Sequence, residues 1–512
     1  MVGRNFIIPF EKLTIEDVAE VGGKNASLGE MIQSLIKKGI NIPTGYAVTA
    51  TAYKFFLSET GLGKYIEEEL GNLKGQDLDR LSEVSKKIRG KFVQTPFPKE
   101  IEEAIRNTHK IYEKKYSENT TFAVRSSATA EDLPTASFAG EHDTYLNVRG
   151  IEEILIAVKK AMSSLFTPRA ISYRIDKGFK HLSVFLSVGV QKMVRSDLAC
   201  SGVIFTLDTE SGFSDIVEIS GSWGLGEMVV QGKVTPDEFV VFKKTLGENN
   251  YVPIIKKKLG TKLSKMIYSN PGTKVLETTV AERSKFVLTD SEVLTLAKWA
   301  VIVEKHYSEK NKHWTPMDLE WAKDGGDGQL YIVQARPETV HSQQDFTKVT
   351  EYVKKGTGKT LLTGASVGSK IATGKVNVIN NPKQINKFNK GEILVTTITD
   401  PDWEPIMRLA SAIVTDKGGR TSHAAIVARE LGIPAVVGAG NATTTLKTGE
   451  EVTVDTTGSD GIVYKGVLDF EITQHDIEKI PIPKTHILVN IASPELAFEK
   501  SFLPNRGVGL AR

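Results

Sequence analysis

Two polar stretches cut this chain and limit how it can fold. "QQDFTKVTEYVKKGTGK" fills residues 343–359 and "EITQHDIEKIPIPK" fills residues 471–484. Neither has the apolar density of a core segment, so both read as linkers. They leave three parts: residues 1–342, 360–470 and 485–512. A chain of 512 residues has room for about three domains, so the divisions and the length agree.

Other features narrow the class. Cys200 is the single cysteine, which rules out an internal disulfide and a thiolate metal cluster and fits a reducing cytoplasm. The formal net charge of +3 gives no global field for nucleic acid or an anionic membrane. No apolar run reaches transmembrane length. Pro9 and Glu11 interrupt the N-terminus before a signal-length apolar stretch can form. A soluble cytoplasmic protein is expected.

Within residues 1–342 helical and strand-like patterns alternate. "SLGEMIQSLIKKG" places Leu28, Met31, Ile32, Leu35 and Ile36 on one helical face, with Gly39 to end it. "TDSEVLTLAKWAVIVEKHY" opens with a capping box, Thr289 to Glu292. "SVFLSVGVQKMV", "SGVIFT" and "DIVEIS" read as strands, and "MDLEWAKDGGDGQLYIVQARPET" as two strands around a Gly/Asp turn. Residues 360–470 carry short strand candidates: "GKVNVIN", "GEILVTT", "SAIVTD", "PAVVGAG" and "EEVTVDTT". Residues 485–512 begin a strand and then a helix.

The sharpest stretch is "GGRTSHAAIVARELGIPAVVG", Gly418 to Gly438. Thr421 or a neighbour can cap a helix over about residues 422–431, stopped by Gly432. His423 then lies in the first turn, at unpaired N–H groups and the positive dipole end. A phosphoryl group on that imidazole would be stabilised by those donors, by Arg420, and by the Thr421 and Ser422 hydroxyls. Neutral imidazole is also a competent nucleophile near pH 7. The plainer alternative is a surface or capping histidine.

Four further stretches suggest polyphosphate chemistry. "VGGKNASLGEM" sets Lys24 behind two glycines and ahead of a helix. "FAVRSSATAEDLP" sets Arg125 before two serines, and "SFAGEHDTYLNV" offers Gly140, where backbone could lie against phosphate. The plainer alternatives are a flexible turn with a solvated lysine at Lys24 and an ordinary strand and loop at Arg125 and Gly140. "MDLEWA" puts Asp318 and Glu320 on one strand face, and the returning strand brings Gln334 and Arg336. Two carboxylates could hold Mg²⁺ against a polyphosphate, with Arg336 neutralising its charge. A salt-bridged surface hairpin is the alternative. "GTGKT", residues 356–360, lacks the first glycine of a P-loop and a strand directly before it, so it reads as linker.

The stretch around His423 resembles the phosphohistidine signature of the enzymes that interconvert pyruvate and phosphoenolpyruvate, and within them the phosphoenolpyruvate synthase (pyruvate, water dikinase) family. Its "ARELGIPAVVG" continuation is similar to the synthases more than to pyruvate, phosphate dikinase. The resemblance covers nearly the whole chain. It departs at Ser422, where many synthases carry cysteine. It implies a multidomain α/β and α+β protein: an ATP-grasp-like nucleotide-binding domain, a compact swivelling phosphohistidine domain, and the incomplete start of a (β/α)₈ barrel.

The resemblance also implies roles. Lys24, Arg125, Glu320, Gln334 and Arg336 would bind ATP with Asp318 in support, and Asp318, Glu320 and Gln334 would meet Mg²⁺. "EISGSWGLGEMVVQGKVTPDEF" resembles the family's nucleotide cleft and offers Glu218 as a contact. His423 would take a pyrophosphoryl group from ATP, leaving AMP. Water would release phosphate, and phospho-His423 would pass its group to the enolate oxygen of pyruvate. Arg512, in "LPNRGVGLAR", matches a substrate-binding arginine of the barrel. The chain alone is thus expected to load His423 but not to make phosphoenolpyruvate. Thr421 matches a threonine that bacterial relatives phosphorylate for regulation; a plain helix cap is the alternative.

Expected partners are ATP, pyruvate or phosphoenolpyruvate through the barrel, and further copies of the full-length chain. Nucleic acid and membranes are not expected. Rival readings are pyruvate, phosphate dikinase and a non-catalytic phosphocarrier or ATP-binding regulatory protein. An antibiotic phosphotransferase of the rifamycin type would need a substrate domain where only residues 343–359 are available.

Overall fold

The branched-residue stretches are strands in the computed structural model, which describes residues 5–71, 78–129, 132–133, 136–137, 143–176, 180–248, 250–270, 272–338, 348–476, 483–491 and 497–511. Gly140 and Arg512 lie outside the described residues. The chain forms two compact units that share it in alternation. One holds Met1–Leu198, Met266–Val275 and Leu319–Arg336; the other holds Ala199–Lys265, Leu276–Asp318 and Pro337–Arg512.

The first unit is built on a five-stranded sheet. Its order is Ile7–Pro9, Gly45–Val48, Leu186–Lys192, Phe122–Ala128, Thr144–Val148, and every pairing is antiparallel. Helices Ala50–Glu59, Leu78–Gln94 and Ile151–Met162 bring Phe56, Phe92, Ile154 and Val158 into its core, where they join Phe166 and strand residues such as Val124 and Val188. The helix Val18–Leu35 buries Leu28, Met31, Ile32 and Leu35 of the expected face, but Ile36 falls in the 3₁₀ turn that follows and is 46% exposed; Gly39 ends that turn in the left-handed region. The Asp324–Gln329 turn joins strands Met317–Lys323 and Leu330–Pro337, as the Gly/Asp cluster predicts.

In the second unit, four antiparallel strands run in the order Ile254–Lys258, Asp237–Phe242, Ile216–Trp223, Cys200–Phe205. The helix Asp290–Asn311 starts at the expected capping box of Thr289 and Glu292. Its Glu304 receives Lys243 Nζ at 2.6 Å from the end of a strand.

A closed seven-stranded barrel follows. Its order is Thr360–Val367, Ala435–Val437, Ala412–Thr415, Ile393–Thr396, Ile371–Val378, Glu451–Asp455, Asp460–Lys465 and back to the first. Strand alternation sorts its side chains into two cores. Ile393, Val395, Ala412, Val414 and Val436 point to one core with Val452, Val454 and Val463. Leu394, Ile413, Ala435 and Val437 point to the other, where Ala424, Ala425, Val427 and Ala428 of the helix His423–Leu431 meet them.

Of the two polar stretches, residues 343–347 and 477–482 lie outside the described residues, and the rest includes paired strands. Lys348–Lys354 pairs antiparallel with Phe470–Asp476, so the chain enters and leaves the barrel through a two-stranded ribbon. "GTGKT" leads into the strand Thr360–Val367 rather than a helix, which removes the P-loop geometry. Near the end, Val489–Ile491 pairs parallel with Val508–Ala511, and the helix Ala497–Ser501 lies between them in sequence. Among the described residues no helix is long and apolar enough to cross a membrane.

Candidate active site

His423 is the first residue of a nine-residue helix that ends at Gly432. The cap is Ser422 rather than Thr421: its extended backbone turns the hydroxyl onto the Ala425 N–H at 3.5 Å. Such a cap contributes about 1 kcal/mol and fixes where the helix begins. Thr421 and Ser422 are both buried, and His423 is half-buried. The imidazole Nδ1 lies 3.1 Å from Thr399 Oγ1, and Thr399 is itself buried. That contact fixes the ring and distinguishes its two nitrogens.

The His423 segment packs against residues far earlier in the same unit. Gly232 comes so close that a Cβ there would meet Ser422 Cβ at 2.6 Å and His423 N at 3.2 Å. With φ at +64°, glycine is required on both counts. Arg420 is surrounded by the charges of Glu210, Glu218, Asp208 and Glu238, and its guanidinium donates to the Ser459 carbonyl at 3.3 Å. Burial alone would lower its pKa, but the four carboxylates together raise it. Arg429 makes a buried ion pair with Glu210.

Glu218 belongs to this charged group. One of its oxygens accepts from Thr209 Oγ1 at 2.9 Å. Burial, then Asp208 and Glu238, push its carboxyl up to about 7, with Arg420 and Arg429 opposing. A group poised there is able to hold or release a proton near neutral pH.

The other sequence-selected residues gather largely in the first unit. Arg125 reaches Gln334 Oε1 at 3.4 Å and Glu320 Oε2 at 3.5 Å. The turn before Lys24 is clamped to the strand carrying Arg125. Gly22 has φ +72°, and a Cβ there would collide with the Ser127 backbone at 2.4 Å. One turn on, Ser27 Oγ donates to the Ala335 carbonyl at 2.7 Å, between Gln334 and Arg336. The Ser27–Ala335 bond, across 308 positions of sequence, thus ties the helix that carries Lys24 to the strand of Gln334 and Arg336. Asp318 shares a strand face with Glu320, but the boundary between the units falls directly after it.

Among the described residues no group of three His, Cys, Asp or Glu side chains is arranged to hold a metal. Glu320 and Gln334, both within the first unit, still offer hard oxygen donors. Such donors suit Mg²⁺, which is commonly held by one or two carboxylates plus substrate phosphates rather than by a protein cage. Arg125 Nε is buried without an acceptor among the described residues, a donor left for an anion.

Sequence reasoning missed Thr399, Asp208, Glu210, Gly232, Glu238 and Arg429. They lie up to about 200 positions from His423, and no local spacing links them to it. Arg429 is six residues past His423, a separation that marks no common helix face.

The family model for the "Pyruvate phosphate dikinase, AMP/ATP-binding domain" matches residues 18–357, and that for the "PEP-utilising enzyme, mobile domain" matches residues 388–458. The chain is 53% identical to the phosphoenolpyruvate synthase of Aquifex aeolicus over 99% of its own length and 60% of that protein. It is 51% identical to the Synechocystis synthase and 48% identical to the Escherichia coli one, over 99% of this chain and 63% of each relative. It therefore spans about three-fifths of the length of these relatives. The chain belongs to the pyruvate phosphate dikinase AMP/ATP-binding domain family, with the mobile domain of the PEP-utilising enzymes on the same polypeptide.

Proposed function

We propose that this chain carries the ATP-to-histidine half of phosphoenolpyruvate synthesis: ATP + pyruvate + water → AMP + phosphoenolpyruvate + phosphate. The observation that carries the reading is the His423 site. The imidazole opens a helix, its Nδ1 lies against Thr399, and Arg420 precedes it by three residues. With Nδ1–H donating to Thr399 Oγ1, Nε2 holds the lone pair and is the nucleophile. The names of relatives at 48–53% identity support the same overall reaction.

In this reading the nucleotide part is ATP-grasp-like. Lys24, Arg125 and Arg336 bind and orient the polyphosphate, and Arg125 gives up its contacts with Glu320 and Gln334 to do so. Asp318, Glu320 and Gln334 would hold Mg²⁺, which when bound neutralises phosphate charge as a Lewis acid. Catalysis of the first step is then mostly positioning and charge neutralisation. Arg420 balances the charge arriving on His423. The barrel swivels between sites, and the paired ribbon at its base is the natural pivot, since hinges are short segments at element ends.

The test is labelling with ATP carrying tracer at the β or the γ phosphorus. Acid-labile, base-stable β label on the protein with AMP release, absent in His423→Asn, is expected. Retention of γ label with ADP release would sink the dikinase reading. Pyruvate, phosphate dikinase is the second reading, favoured by the description of the matching family model. Release of the γ label as pyrophosphate, dependent on added inorganic phosphate, would select it, because AMP leaves before phosphate takes part.

A further inference from the structure

Glu210 is in none of the motifs that point to nucleotide or phosphohistidine chemistry, yet it touches the histidine barrel at two separate elements. Its Oε1 takes the ion pair from Arg429, on the helix that His423 begins. Its Oε2 accepts the backbone N–H of Gly368 at 3.1 Å, in the turn after the first barrel strand. The two partners are 61 residues apart in the barrel, and Glu210 lies 158 positions before the nearer one. Both side chains are largely buried, at 15% and 8% exposure, so water screens the pair little. One carboxylate thus holds the helix and a strand turn at once. That fixes the orientation of the barrel as well as its position.

We propose that Glu210, with Arg429 as its counter-ion, is the positioning residue that docks the barrel for loading of His423. It contacts no reacting atom. It acts by holding the His423 segment where Gly232 and the carboxylates around Arg420 receive it. The proposal rests on the phosphohistidine reading above. Loss of the pair should slow loading without weakening ATP binding, because Lys24, Arg125, Glu320 and Gln334 are untouched.

The test uses the whole chain. Glu210→Ala and Arg429→Ala are each expected to slow β-label transfer from ATP about a hundredfold, the order of effect for one broken buried pair. ATP affinity, read by equilibrium binding, should stay within about twofold of the parent. Glu210→Gln keeps the acceptor for Gly368 and should fall between parent and Glu210→Ala. The charge reversal Glu210→Arg with Arg429→Glu should recover much of the single losses. In parallel, spin labels at Glu248→Cys and Lys447→Cys, with the buried Cys200 replaced by serine, report one narrow distance in the parent. That distance should broaden in Glu210→Ala.

Loading at the parental rate in both alanine variants would overturn the proposal. So would slow loading with an unchanged narrow distance, because the effect would then be chemical rather than positional. If the parent chain itself takes no label, the phosphohistidine reading fails. The spin-label distances still decide whether Glu210 docks the barrel.

Discussion

Glu218, in the charge field of Arg420, carries a strongly perturbed carboxyl. Its pKa rises from 4.5 to about 7, first by burial and then by Asp208 and Glu238. A raised carboxyl favours the folded state while protonated, and the advantage is lost as pH climbs from about 4.5 through about 7. Full ionisation costs the fold up to roughly 3 kcal/mol on this account. Glu218→Gln keeps the acceptor for Thr209 and removes the ionisation. Its melting temperature relative to the parent should therefore be higher at pH 8 than at pH 5, with the gain levelling off above pH 7. A pH-independent difference would show that Glu218 does not titrate in this window. Thr399 makes a complementary point: "TTITDPD" carries no chemical signature, and only folding brings its hydroxyl to the imidazole.

At the scale of elements, local signals were reliable where chain chemistry closes locally. The capping box at Thr289 and the stop at Gly432 need no distant partner. The ribbon of Lys348–Lys354 with Phe470–Asp476 was illegible because each strand is polar and buries little; Val353 and Ile472 remain 41% and 55% exposed. An isolated two-stranded ribbon is marginal in water, so the ladder and the attached barrel must hold it. Thr350 and Gln474 face each other across it. With one native cysteine, buried, the pair Thr350→Cys and Gln474→Cys should oxidise cleanly. The bridge would close a loop of roughly 120 residues and stabilise by as much as about 4–5 kcal/mol in the chain-entropy model. A rise of several degrees in melting temperature, reversed by reductant, is the expected result. No bridge under oxidation would mean that the strands are not paired in solution.

Over the whole molecule, the chain passes between its two units five times, at Leu198, Lys265, Val275, Asp318 and Arg336. The barrel is different: both of its cores are closed within residues 362–463. A fragment of residues 348–476 should therefore fold alone, with a cooperative thermal transition by circular dichroism. Residues 1–198 should not, since they leave Asn41, Gln191 and Ser27 without the carbonyls of Leu330, Val333 and Ala335. A cooperative 1–198 fragment would show that the hairpin Leu319–Arg336 is dispensable.

Periodicity and near neighbours were enough to give the capping box at Thr289, five of the seven barrel strands and the histidine at a helix start, but not the strands Thr360–Val367 and Asp460–Lys465. The sequence also marked Arg125, Glu320 and Gln334 by residue type before any contact among them was visible. That seven short strands close into a barrel became visible only in three dimensions, because closure depends on pairing between distant segments. The tertiary structure alone brought Asp208, Glu210, Glu218 and Glu238 into the charge field of Arg420. Charge and close approach act through space, and a one-dimensional pattern records neither.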